Sequence, residues 1–170
     1  TGRKYLAVPV QEFCEEKIDQ LKNEEDWLLL HAPVQKKEEE GYITISGQEA
    51  VESQARGLLK KAEERVYISA GQSFLKVVLP DLQTLSDAGK KVVIITDWEE
   101  LQEPGTIYRA GDKKGQVGMI VDSSFVLSGE YGERSGNTCL YTGQRNFVEI
   151  FKEAMANEIK VIELTKGEKN

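Results

Sequence analysis

A single histidine, two cysteines and no apolar run of membrane-spanning length are what this sequence has least of, and each scarcity closes a class of function. Cys14 and Cys139 lie far apart and lack the CxxC spacing of a zinc or redox site, so neither a metal centre nor a disulfide framework is expected. No stretch approaches the ~20 apolar residues needed to cross a bilayer, and the opening TGRKYLAVP is no secretory signal, which predicts a cytoplasmic protein without membrane contact. Basic residues are also in the minority. With 22 Lys and Arg against 29 Asp and Glu, the net charge of −7 argues against the broad basic surface that a phosphate backbone requires. The pair Lys36 and Lys37 is followed at once by Glu38, Glu39 and Glu40 and reads as a solvated loop.

What is present is enough for one core: 170 residues, 39% of them hydrophobic. Residues Val10 to about Leu30 read as a helix, entered after Pro9 and ended before Pro33. Cys14, Ile18, Leu21, Glu25 and Leu28 fall at alternating spacings of four and three, the seam of a short coiled coil, and Cys14, Ile18, Leu21 and Leu28 are its dimerisation candidates. The polar segment from Pro33 to Gly41 is a linker. Two parts are therefore expected, residues 1–40 for dimerisation and linker and residues 41–170 for the main domain.

The main domain reads strand, helix, strand, helix, strand. Tyr42–Ile45 is a strand, and Ser46 with Glu49 has capping-box spacing for a helix that buries Val51, Ala55, Leu58 and Ala62. Val66–Ser69 is the next strand. The helix after it buries Phe74, Val78, Leu82 and Leu85, with Pro80 as kink or boundary and Gly89 as the stop. The uniformly apolar Val92–Thr96 predicts a central parallel strand. Beyond it come an edge strand at Thr106–Arg109, a hairpin of Gly118–Asp122 and Phe125–Ser128 about Ser123-Ser124, a polar glycine-rich loop over 129–137, and a strand at Thr138–Thr142. A final helix from about Gln144 is predicted to bury Phe147, Ile150, Phe151 and Ala154.

Two stretches carry a resemblance. RKYLAVPVQEF with the charged helix after it, and YITISGQEAVESQARGLLKKAEERVYIS, resemble the part of TrmB-like transcriptional regulators that follows their winged-helix domain; VGMIVDSSFVLSG resembles a hairpin of the same domain. The resemblance implies an α/β, phospholipase D-like domain with a mixed, mainly parallel sheet flanked by helices and preceded by a coiled-coil-like helix. It also implies a homodimer, control by a small-molecule effector, and DNA contact only through a winged-helix domain absent from this chain.

The phospholipase D signature is His-x-Lys-x-x-x-x-Asp, in which His attacks phosphorus and Lys stabilises the phosphoryl oxygens. If Asp122 is its Asp, the Lys position is Val117 and the His position is Gly115. The sole histidine, His31, ends the first helix outside this motif. Phosphohistidine chemistry is therefore excluded by residue inventory, no catalytic residue is assigned and no cofactor is expected. The rival reading is a phosphodiesterase or nuclease with a non-standard nucleophile. In open α/β sheets ligands collect at the carboxyl ends of parallel strands. That rule nominates Ser69, Gly71, Gln72, Ser73, Thr96, Asp97 and Trp98, closed over by Asp122, Glu130, Tyr131, Arg134 and Asn137, as a pocket for a sugar or another polar metabolite.

Overall fold

The computed structural model describes residues 7–32, 41–133 and 136–167. It divides into two compact units, Thr1–Glu38 and Glu39–Asn170. The first holds α1 (Val10–His31), whose first turn closes with Phe13 N–H donating to Pro9 O at 3.0 Å and whose exit at Ala32 is extended. None of its residues is buried; Ile18, Leu21 and Leu28 of the predicted seam are each more than half exposed. At its end His31 stacks on Trp27, and its Nδ1 lies 2.8 Å from the Trp27 carbonyl oxygen. The predicted linker over 33–40 lies outside the described residues.

The second unit is a three-layer sandwich built on one seven-stranded sheet. Its strands are β1 (Tyr42–Ser46), β2 (Arg65–Ala70), β3 (Lys91–Thr96), β4 (Thr106–Arg109), β5 (Gln116–Val121), β6 (Phe125–Glu130) and β7 (Thr138–Thr142), in the order β1-β7-β6-β5-β2-β3-β4. Only β2, β3 and β4 run parallel to one another; the remaining neighbours pair antiparallel. The sheet is thus mixed, as expected, but parallel pairing is its minority. The physical reason is connectivity: helical crossovers join β1 to β2 and β2 to β3, whereas the short turn into β6 can only reverse the chain.

Helices α2 (Gln48–Lys61) and α3 (Gln72–Asp87) cover one face, and α4 (Arg145–Gly167) covers the other. On β2 the alternation is visible residue by residue. Val66, Ile68 and Ala70 join the core under α2 and α3, while Tyr67 packs with Ile120, Val148 and Met155 on the α4 side. The main core gathers Val51, Ala55, Leu59, Phe74, Val78, Leu82, Ile94 and Met119, all at most 1% exposed. Strand β3 is buried from Val92 to Thr96, as a central strand covered on both faces should be. Among the described residues, no helix is long and apolar enough to cross a membrane.

Several local expectations need correction. Ser46 ends β1 and does not cap α2; Gly47, at φ +100°, is the N-cap, with no side-chain bond. Pro80 sits inside α3 without ending it. Gly89, at φ +76°, does stop it: Lys90 N–H donates to Leu85 O and Gly89 N–H to Ser86 O, the pattern of a Schellman motif. The β5–β6 turn holds three residues, Asp122 to Ser124, with Asp122 and Ser123 both left-handed. Gly129 and Glu130 belong to β6 rather than to the following loop. In α4 the buried residues include Val148, Met155 and Ile162, whereas Ile150 is 63% exposed and Ala154 is exposed too. The helix turns a different arc to the sheet from the one its first apolar residues suggest.

Candidate functional site

The carboxyl ends of β2 and β3 and the start of β5 meet at one edge of the sheet, because Ala70 pairs with Val117 and β3 runs parallel beside β2. A cleft of about 620 Å³ opens there. Its wall is the first turn of α3 (Gly71 to Phe74), the segments Asp97–Glu100 and Ala110–Asp112, then Lys114–Val117 and Tyr131. Gly115 and Val117, the positions for His and Lys if Asp122 is the Asp of the phospholipase D signature, both line it.

Gly115 holds a backbone conformation that side chains rarely adopt. Its φ is +79°, and a Cβ added there would stand 3.0 Å from Tyr131 O. Gln116 N–H donates to Lys113 O at 2.8 Å and Tyr131 N–H to Gly115 O at 2.8 Å, so the turn is pinned on both sides. A β-carbon at 115 would meet strain and a fixed carbonyl together.

Acceptors dominate the cleft. Among the described residues that line it, Asp97, Glu99, Glu100 and Asp112 supply four carboxylates, against the one ammonium of Lys114. Donors come from the α3 N-terminus, where the amides of Gln72, Ser73 and Phe74 precede the first helical bond, Leu75 N–H to Gly71 O at 3.1 Å. Asp97 stands beside this end without capping it. A methyl built on Gly71 would lie 3.6 Å from its Oδ1, and its Oδ2 accepts Lys113 N–H at 2.9 Å. The positive end of the α3 dipole thus faces a carboxylate of the protein itself. Trp98 N–H donates to the buried Thr96 Oγ1 at 3.1 Å, and Lys76 Nζ lies 5.7 Å from the centre of the Trp98 indole.

Tyr131 closes the far wall. Its ring meets Phe74 edge-on at 5.1 Å, and its hydroxyl donates to Glu52 Oε1 at 2.5 Å while accepting from Gln48 Nε2 at 3.2 Å. Burial, and then the bond to Glu52, push its pKa above 10. The hydroxyl ties the end of β6 to α2 through Glu52.

The structure separates the nominated residues into two groups. Gly71, Gln72, Ser73, Asp97, Trp98 and Tyr131 share the cleft, and Thr96 supports Trp98 from beneath it. Ser69 instead faces α4, where its Oγ donates to Glu158 Oε2 at 3.3 Å. Glu130 ends β6 opposite Thr138 and does not line the cleft. Asn137, left-handed at φ 44°, accepts Gly132 N–H on its Oδ1 at 3.0 Å and orders the loop. Arg134 lies outside the described residues. Asp122 is the clearest correction. It stands at the opposite end of β5 from Gly115, where its carboxylate accepts the amides of Glu63, Glu64 and Arg65 at 2.7, 2.8 and 2.9 Å. Burial raises its pKa, but these three bonds outweigh that and hold it below 3.8. It locks the entry to β2 and is absent from the cleft.

Sequence reasoning missed the segment from Ala110 to Gln116. Lys113, 8% exposed, runs its side chain to Glu158 Oε1 on α4 while its amide is held by Asp97. One residue therefore touches both the cleft and the opposite layer. Its signal in the sequence, GDKKGQ between two short strands, is a turn composition that says nothing of burial.

The profile described as Transcriptional regulator TrmB, EBD N-terminal subdomain, matches residues 41–154. No curated protein matches the sequence. Among solved structures, TrmBL2, an archaeal chromatin protein described as showing a novel mode of DNA binding, is similar at a TM-score of 0.57 and 18% identity, over 86% of this chain. This chain spans 63% of the TrmBL2 chain's length. NucT from Helicobacter pylori is similar at 0.56 and 15% identity, over 71% of this chain and 97% of that one. Nuc from Salmonella typhimurium, a phospholipase D family member, is similar at 0.51 and 11% identity, over 69% and 93%. At such identities these structures speak for the fold alone, a phospholipase D-like one. The family rests on the profile: matched over more than half of its length, the chain belongs to the TrmB family of transcriptional regulators, in which it corresponds to the EBD N-terminal subdomain.

Proposed function

We propose that this chain is the effector-sensing and dimerisation part of a TrmB-like transcriptional regulator, and that its cleft binds an uncharged or cationic polar small molecule without turning it over. DNA contact belongs to a winged-helix domain outside this chain, α1 joins two copies through Cys14, Ile18, Leu21 and Leu28, and the protein works in the cytoplasm. The observation that carries the ligand class is Asp97. A carboxylate beside Gly71, the residue that enters α3, repels an anionic ligand from this end of the helix, and Glu99, Glu100 and Asp112 deepen the negative field. A sugar or polyol presents hydroxyl donors to these acceptors and an apolar face to Trp98. Lys113 supplies a physical link from such a ligand to α4, since a shift of Asp97 moves its amide.

The phosphodiesterase reading fares worse on the same observations. A phosphodiester is repelled by the carboxylates, the described cleft wall contains no histidine, and a side chain at Gly115 would be strained. The discriminating experiment is thermal shift of the whole chain against neutral mono- and disaccharides, polyols, polyamines, sugar phosphates and a phosphodiester. Stabilisation by a neutral or cationic compound, lost in Trp98→Ala, is the expected result. Stabilisation by the phosphodiester, or its hydrolysis, contradicts the proposal, and a silent panel leaves assembly alone as the role.

A further inference from the structure

Helix α4 has two apolar arcs. One packs on the sheet through Val148, Phe151, Met155 and Ile162. The other points away from it and comprises Ile150, Ala154, Asn157, Val161 and Leu164, at spacings of four, three, four and three. Ile150, Val161 and Leu164 are 63%, 60% and 72% exposed. Scattered apolar residues on a surface need no explanation. A row in heptad register along about 22 Å of helix does, since that spacing keeps one stripe in line with a partner helix. Most of the stripe lies beyond residue 154, where the family match ends.

We infer that this outer face of α4 is a self-association surface, and that its occupant is α4 of a second copy running antiparallel. In antiparallel pairs each a position lies level with a partner's d position. With Ala154 and Val161 at a, and Ile150, Asn157 and Leu164 at d, Val161 meets the partner's Ile150, while Ala154 meets the partner's Asn157. A large residue faces a large one, and the small alanine leaves room for the polar amide. The flanking positions favour the same direction. Glu153 and Lys160 occupy successive g positions on one side of the stripe, and in the antiparallel pair each faces the other type across the two-fold axis. Both are exposed, and neither makes an ion pair among the described residues. A parallel pair gains no such match, because g positions then face e positions, here Phe151, Glu158 and Thr165.

The test is sedimentation equilibrium of the whole chain carrying Ile18→Glu and Leu21→Glu, which removes the proposed α1 contact and separates its failure from failure of α4. That chain is expected to self-associate still. Adding Val161→Glu and Leu164→Glu should raise the dissociation constant at least tenfold, with helicity by circular dichroism unchanged because both residues are exposed. Glu153→Lys alone should weaken association about fivefold, since symmetry converts two attractive pairs into two repulsive ones. Adding Lys160→Glu to it should restore the original constant, and this swap decides the matter even if the double glutamate variant unfolds. A chain that stays monomeric near 1 mM overturns the inference, as does a charge swap without rescue.

Discussion

Individual side chains here are decided by what they touch more than by the motif that nominates them. Asp122 fits the last position of a catalytic signature by spacing, yet its carboxylate is used up on three amides at the entry to β2. Asp122→Ala should therefore cost about 1–3 kcal/mol in denaturant unfolding, because three donors lose a charged acceptor. Its folded pKa lies below the unfolded 3.8, so this contribution is present above that pH and fades as pH falls through the folded value. The gap in stability between wild type and Asp122→Ala should accordingly narrow below pH 3.8. The cysteines make a second contrast. Cys139 is 1% exposed and burial pushes its thiol up to about 11, whereas Cys14 is exposed. A thiol reagent at pH 8 should leave Cys139 unlabelled in the native chain and label it after unfolding, as thiolate fraction and access both require.

Elements were legible where a period is long and its environment uniform. The buried faces of α2 and α3 follow from spacings of three and four, and β3 follows from an unbroken β-branched run, because each lies wholly within one packing environment. Helix α4 was half legible. Its sequence carries two apolar arcs, and periodicity cannot say which of them meets the sheet. The cleft was legible as the carboxyl edge of parallel strands, which found Gly71, Gln72, Ser73, Asp97 and Trp98. It was not legible at Ser69, whose side is fixed by the pleat, nor at Lys113, whose burial depends on a partner 45 positions away. That pairing gives a prediction on this scale. Lys113→Met leaves Glu158 without its cation and should cost about 2 kcal/mol. The melting temperature should fall by roughly 4–8 °C, and adding Glu158→Met should recover most of the loss, since the replacement pair buries no charge.

At the scale of the whole molecule, a phospholipase D-like frame carries a cleft at the carboxyl ends of β2 and β3. Gly115 and Val117, the positions that the signature's spacing would give to His and Lys if Asp122 were its Asp, line that cleft; the turn at 115 is closed by hydrogen bonds, and Asp97 stands beside Gly71. The proposed function gives this cleft to recognition, and the proposed contacts of α1 and of the outer arc of α4 would relay its occupancy between copies. The most direct measurement is calorimetric titration of the chain with a matched pair of ligands: the neutral sugar or polyol that stabilises it most, and the same compound bearing one phosphate. Saturable binding of the neutral compound that is lost in Trp98→Ala, with at least tenfold weaker binding of its phosphate, is the predicted result. Tighter binding of the phosphate, or binding of either that persists in Trp98→Ala, would contradict the account.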